Sequence, residues 1–166
     1  LNEGVRLWFY LSLGGIGLFF LLKFLKVSNN ASLFGGLAYA ITPYVFGLIN
    51  AGHNNKIMAG AFTPFLILCA LYMFSNRSIK SILLLSVVSA LQLWTNHPQI
   101  YYYTWMVIGL WWLVDTIYCL IKKKVNYKNT IQDILLLTIS IIISLLMVSD
   151  PYYDIYKFQG ESNRGS

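Results

Sequence analysis

A short polar turn between two apolar runs contains one of the two histidines of the chain. The turn, residues 50–56, includes His53, Asn54 and Lys56. If a helix begins within it, His53 and Lys56 are three positions apart and could face one pocket. A lysine cation beside a histidine suits a phosphate or an acidic head group, and a bound anion would offset the unfavourable position of Lys56 at a helix start. The alternative is an ordinary polar turn whose lysine extends to the membrane surface.

A second polar break contains the other histidine, in the run Asn96-His97-Pro98-Gln99. Pro98 suits the first turn of a helix, where its missing N–H costs nothing. Free backbone N–H groups at such a start bind anions or sugar hydroxyls. We therefore place Asn96, His97 and Gln99 with the first turn in one candidate substrate-binding site. Helix capping and hydrogen bonds at the membrane interface are the alternative.

The remaining titratable residues give no catalytic assignment. A zinc site built from the two histidines needs a third ligand, which only Asp150 or Asp154 offers, so we expect neither a metal ion nor a cofactor. Asp115 is expected to pair with Lys122 or with a neighbouring helix rather than to relay protons. Asp150, followed by a proline, is expected to be a helix N-cap rather than a catalytic base.

The elements that must position these residues are apolar spans. Of the 166 residues 57% are hydrophobic and 11% charged, whereas a soluble domain carries about 25% charged residues. Runs of about 20 apolar residues predict an all-α, polytopic transmembrane bundle of about six spans. The predicted spans cover about 5–25, 32–49, 57–74, 81–95, 100–121 and 131–148. Residues 1–149 then form the membrane region, and 150–166 begin an extracytoplasmic segment.

Proline and glycine positions predict how these spans bend and pack. Pro43 and Pro64 each follow a threonine inside a predicted span, on either side of the first turn. Both should kink their helices, and a bent hairpin could open a cavity beside the turn. Kinks that only fit neighbouring helices are the alternative. Gly14, Gly15 and Gly17 predict close helix contact in the first span.

The distribution of basic residues predicts the orientation. Eight of the 12 lie on one side of the alternating spans: Lys23, Lys26, Arg77, Lys80, Lys122, Lys123, Lys124 and Lys128. The positive-inside rule makes that side cytoplasmic. Both histidine turns, and both ends of the chain, are then predicted to lie outside.

Three segments resemble the YfhO family of bacterial multi-pass membrane proteins. They are Gly52-His53-Asn54-Asn55-Lys56-Ile57-Met58-Ala59, Asn96-His97-Pro98-Gln99-Ile100-Tyr101-Tyr102-Tyr103 and Glu161-Ser162-Asn163-Arg164-Gly165. That family is similar to the GT-C membrane glycosyltransferases. The resemblance implies a polyprenyl-phosphate-linked sugar as donor and transfer at the outer face of the bacterial inner membrane. It also implies a catalytic acid in an outer loop upstream of this chain, which we expect to be an internal piece of a longer protein.

Under this interpretation the basic residues of the outer side hold the lipid phosphate, namely His53, Lys56 and Arg164. The polar residues of the second break, Asn96, His97 and Gln99, meet sugar hydroxyls. A transporter or flippase for a lipid-linked or small anionic solute is the alternative function, and it would use the same face without bond cleavage. Membrane lipids are expected partners in both cases, and nucleic acid in neither.

Overall fold

The computed structural model describes residues 2–124 and 126–161, which form eight α-helices and no strand within those ranges. In chain order the helices are α1 (Glu3–Phe24), α2 (Asn29–Ala40), α3 (Pro43–Asn50), α4 (Asn54–Asn76), α5 (Ile79–Trp94), α6 (Pro98–Ile121), α7 (Tyr127–Met147) and α8 (Ser149–Glu161). The predicted all-α class is confirmed. Most helices begin a few residues before the predicted apolar run, because polar residues such as Ser28, Ser78 and Asn126 cap them.

Five segments of this bundle are long and apolar enough to cross a membrane: α1, α2 together with α3, α4, α6 and α7. Helix α5 is apolar but has only 16 residues, about 24 Å at 1.5 Å per residue, against a hydrocarbon thickness of about 30 Å. With α5 the count is the predicted six. The protein is therefore a multi-pass membrane protein, and the apolar side chains on its outer surface contact lipid.

The spans alternate in direction, so the bundle has two distinct ends. The side-chain amide of Asn54 donates to the carboxylate of Glu3, which joins the starts of α4 and α1. The Tyr152 hydroxyl donates to the Leu93 carbonyl at 3.2 Å, which joins the start of α8 to the end of α5. We call this end, with residues 50–54, 94–98 and 147–149, the histidine end. The other end, with residues 24–29, 76–79 and 121–127, is the basic end. Both histidine turns lie at one end, as predicted.

Glycines hold α1 against its neighbours. A Cβ atom on Gly15 would lie 2.7 Å from the Gly36 carbonyl oxygen, and one on Gly36 would lie 2.7 Å from the Gly15 carbonyl oxygen. A Cβ atom on Gly17 would lie 2.6 Å from the Phe65 ring. The α1 and α2 backbones can approach this closely only because both positions lack a side chain, so the predicted role of these glycines is confirmed.

The two Thr-Pro pairs behave differently. Helix α2 ends at Ala40 and α3 begins at Pro43, so the second span is broken into two helices. Helix α4, by contrast, continues through Pro64 from Asn54 to Asn76. Pro64 has no N–H to give to the Gly60 carbonyl, four residues earlier. The hydroxyl of Tyr39 on α2 donates to that carbonyl at 2.8 Å instead.

Candidate functional site

The side chain of Lys56 lies in a groove at the histidine end. Lys56 is in the first turn of α4 and is half-buried. It lines two adjoining lobes, of about 190 Å³ and about 270 Å³, which share Tyr39, Tyr44, Leu48 and Gly60. We call the two lobes together the Lys56 groove. Within the described residues Lys56 makes no ion pair.

Hydroxyl groups and aliphatic side chains form the rest of the groove. The hydroxyl-bearing residues are Tyr10, Tyr39, Thr42, Tyr44, Thr63, Tyr103 and Thr104, and the aliphatic ones include Leu11, Val45, Leu48, Ile57, Ile100 and Val107. The Tyr103 hydroxyl accepts a hydrogen bond from the Gln99 amide at 2.8 Å, which leaves its own hydrogen free to donate. The groove therefore offers one cation, several neutral hydrogen-bonding groups and an apolar wall.

The break between α2 and α3 borders this groove. Thr42, Tyr44 and Val45 line its smaller lobe, and Pro43 is the first residue of α3. The side chain of Thr42 makes no capping hydrogen bond to the start of α3. The positive end of the α3 dipole thus lies beside Lys56 and favours an anion.

A buried amide joins three helices beneath the groove. Gln92 of α5 is fully buried, and its Nε2 lies 3.0 Å from the Ala59 carbonyl oxygen, 3.1 Å from Thr63 Oγ1 and 3.1 Å from Thr104 Oγ1. Thr63 and Thr104 also line the larger lobe of the groove. Gln92 fixes the polar floor of the groove, although the sequence analysis did not single it out. An amide within the apolar run 81–95 is the signal that could have found it, because polar groups in a span bind neighbouring helices.

His53 does not share the groove with Lys56. It is the N-cap of α4, with φ −87° and ψ 49°, and its side chain is exposed. The helical three-residue spacing does not hold at this position, because the N-cap residue lies outside helical geometry. Asn54, half-buried, bonds to Glu3 through Nδ2, while its Oδ1 is buried with no hydrogen-bond partner in the described chain.

Of the residues in the second histidine turn, Gln99 is the one connected to the Lys56 groove. Asn96 is exposed and has a positive φ of 57°. His97 is the N-cap of α6, and its Nδ1 is buried without a partner in the described ranges. Neither residue lines the groove, whereas Gln99 reaches it indirectly by donating to Tyr103. Lys56 lines the Lys56 groove and Gln99 is connected to it through Tyr103. His53, Asn96 and His97 lie at the same end of the bundle but do not line the groove.

Three further predictions concern single residues. Asp115 makes no ion pair in the described chain, and Lys122 lies over the Tyr118 ring instead, 5.9 Å from its centroid, so the predicted pairing is wrong. Asp150 is not the N-cap of the last helix, because α8 already begins at Ser149 and places Asp150 in its first turn. Arg164 lies outside the described residues, so its role stays a prediction.

A buried ion pair at the basic end was not predicted from the sequence. Arg77 Nε donates to Asp133 Oδ1 at 2.7 Å and Arg77 Nη2 donates to Oδ2 at 2.9 Å. Asp133 is 7% exposed and lies on α7, whereas Arg77 ends α4 with a positive φ of 38°. A carboxylate close to the start of the apolar run 131–148 was the available signal.

No family model, curated protein or solved structure matches the chain. The chemistry of the Lys56 groove is therefore the basis for a functional assignment. No aspartate or glutamate among the described residues lines it, and no group of three or more His, Cys, Asp or Glu side chains in that part of the chain could hold a metal ion. The arrangement suits binding of an anionic amphiphile.

Proposed function

We propose that the Lys56 groove binds the phosphate of a lipid-linked substrate, a polyprenyl-phosphate-linked sugar, in a membrane glycosyltransferase-like protein of the YfhO type. The observation that carries the proposal is a half-buried lysine without an ion-pair partner in the described chain, inside a groove of hydroxyls and aliphatic side chains. An ammonium group without an opposite charge is available to form charge-assisted hydrogen bonds with an anion. A phosphate supplied by a ligand would provide that anion.

The other walls of the groove match the rest of such a ligand. Tyr44, Thr63 and Tyr103 offer hydroxyls to a sugar, and Leu48 and Val107 offer aliphatic surface to an isoprenoid chain. Gln99 orients the Tyr103 hydroxyl through its hydrogen bond. Each charge-assisted hydrogen bond to the phosphate contributes about 1.5–3 kcal/mol.

The proposed orientation places this groove at the outer face of a bacterial inner membrane. Eight of the 12 basic residues lie at or near the basic end. The positive-inside rule makes that end cytoplasmic. A donor bound at Lys56 would then be used on the outer side.

The groove holds the donor rather than performing the transfer, because no carboxylate among the described residues lines it. The catalytic acid that the family resemblance implies lies in a loop upstream of this chain, so no described residue is assigned that role. Lys56, Tyr103 and Gln99 are thus proposed to bind and orient the donor.

A transporter or flippase is the second proposed function, and the broken second span favours it. Transporters commonly place an anionic solute at the N-terminus of a half-helix within an interrupted span. The start of α3 at Pro43 lies beside the Lys56 groove in this way. Such a protein would move the lipid-linked anion without cleaving it.

One reconstitution distinguishes the two functions. The intact protein is placed in vesicles with a polyprenyl-phosphate-linked sugar, and both sugar transfer and movement of the lipid between leaflets are measured. Transfer that is lost in Lys56→Gln supports the glycosyltransferase-like function. Movement without transfer, again lost in Lys56→Gln, supports the transporter. If the unaltered protein does neither and does not bind the lipid, both proposals fail.

A further inference from the structure

A second cavity, of about 420 Å³, lies at the basic end between α4, α6 and the start of α7. Its charged residues are Arg77, Asp115, Lys124 and Asp133. Arg77 and Asp133 neutralise each other through two hydrogen bonds, which use Nε and Nη2 of the guanidinium. One acid, Asp115, and one base, Lys124, then remain, and neither makes an ion pair in the described chain.

Asp115 lies inside α6, which is long and apolar enough to span the membrane. It is six residues from the last residue of α6, or about 9 Å at 1.5 Å per residue. Trp111 and Trp112 line the same cavity, and aromatic faces attract ammonium groups. An unpaired carboxylate facing lipid is costly, so a cationic group at this position would be stabilising.

An apolar groove of about 530 Å³ continues from this cavity along the exposed side of α6. Trp111 and Asp115 line both spaces, and Val107, Leu110 and Val114 extend the groove toward the middle of the helix. A polar cavity with both charges thus opens directly onto a surface that fits an acyl chain.

We infer that this cavity binds the head group of a phospholipid with a primary ammonium, of the phosphatidylethanolamine class. The ammonium pairs with Asp115 in the cavity that the two tryptophans also line. The phosphate contacts Lys124 and the part of the Arg77 guanidinium that Asp133 does not use. One acyl chain lies along α6. The site is separate from the Lys56 groove, at the opposite end of the bundle, and does not depend on its function.

Other ligands match the cavity less well. An anionic lipid without an ammonium group leaves Asp115 unpaired. A choline head group has the positive charge but no N–H to donate to the carboxylate. Free phosphoethanolamine satisfies both charges but leaves the apolar groove of α6 empty, so the lipid form should bind more tightly.

Native mass spectrometry of the purified intact protein tests this inference. Lipid binding is titrated with phosphatidylethanolamine, phosphatidylglycerol and phosphatidylcholine, and free phosphoethanolamine serves as competitor. The variants are Asp115→Asn and Lys124→Gln, both at exposed positions. Lys123→Gln is the matched control, because Lys123 is adjacent in sequence and does not line the cavity. Thermal unfolding of each variant verifies that it is folded.

Phosphatidylethanolamine should bind most tightly, and each of the two variants should weaken it about tenfold or more, the loss expected for one charge-assisted hydrogen bond. Lys123→Gln should leave it unchanged, and Asp115→Asn should not weaken phosphatidylglycerol. Unaltered phosphatidylethanolamine binding in either cavity variant would overturn the inference. So would tighter binding of phosphatidylglycerol, or displacement of the lipid by free phosphoethanolamine at equal concentration.

Discussion

Each end of the bundle contains a partly buried basic side chain, and the two differ in whether a carboxylate pairs with it. At the basic end Arg77 is held by the carboxylate of Asp133 through two hydrogen bonds, and the pair connects α4 to α7. At the histidine end Lys56 is half-buried in a groove and makes no ion pair within the described residues. A cation that is paired with a carboxylate inside the protein connects two helices, whereas one without a partner is available to a ligand. The presence or absence of a neighbouring carboxylate therefore distinguishes a structural role for the cation from a binding role.

Removing the carboxylate at the basic end should have the largest effect on stability. Asp133→Leu leaves the Arg77 guanidinium without its partner, and breaking a buried pair costs about 3–5 kcal/mol. Because 26% of the Arg77 side chain is exposed, we expect a loss near the lower end of that range. The unfolding free energy in mixed detergent micelles measures it.

The matched control at the other end is Glu3→Gln. It breaks the exposed Glu3–Arg6 pair, whose atoms are 3.6 Å apart, and should cost less than about 1 kcal/mol. The double variant Arg77→Met with Asp133→Leu should recover most of the lost stability. Equal losses in Asp133→Leu and Glu3→Gln would remove the distinction between the two ends.

Close packing holds α1 against α2 beside the Lys56 groove, and Gly15→Ala tests this. The new Cβ atom would lie 2.7 Å from a backbone oxygen of Gly36, so we expect a loss of about 1–3 kcal/mol. Gly109→Ala is the control, because nothing lies within 4 Å of a Cβ atom there. The control should gain up to about 1 kcal/mol from helix propensity. Equal effects of the two substitutions would contradict the close contact.

The hydrogen bond from Tyr39 to Gly60 should give the smallest effect. Tyr39→Phe removes it, at a cost of about 0.6 kcal/mol, the average measured for side-chain hydrogen bonds in membrane proteins. In a Pro64→Ala background the helix regains an N–H for the Gly60 carbonyl, so the same substitution should cost almost nothing. A double-mutant cycle of unfolding free energies measures this coupling. Equal costs in both backgrounds would show that the proline does not free this carbonyl for Tyr39.

The number of apolar spans and their helical type were predictable because a bilayer requires long apolar runs, and these are visible in the sequence alone. The different outcomes at Pro43 and Pro64 were not predictable from two identical Thr-Pro pairs. At Pro64 the freed Gly60 carbonyl finds the hydroxyl of Tyr39, 21 residues away in sequence, and the helix continues. A local motif does not contain that distant partner.

The candidate site was predictable only in part, because most of its residues are distant from one another in sequence. Lys56 stood out as a cation in a short polar turn, and the structure places it in a groove. Its supposed neighbour His53 points elsewhere, because the helix begins one residue after it. The tyrosines that line the groove come from α1, α2, α3 and α6. Only the packing of these helices brings them to Lys56, so no spacing rule could have selected them.

The affinity for a polyprenyl phosphate tests most directly the claim that Lys56 is a binding residue. It is measured in micelles for the unaltered protein, for Lys56→Gln and for Arg6→Gln, which removes a cation at the same end that does not line the groove. We predict that Lys56→Gln binds roughly 10- to 150-fold more weakly, as expected for one lost charge-assisted hydrogen bond, with an unchanged unfolding free energy. Arg6→Gln should bind as the unaltered protein does. Equal affinity in all three proteins, or an equal loss in both variants, would contradict a binding role for Lys56.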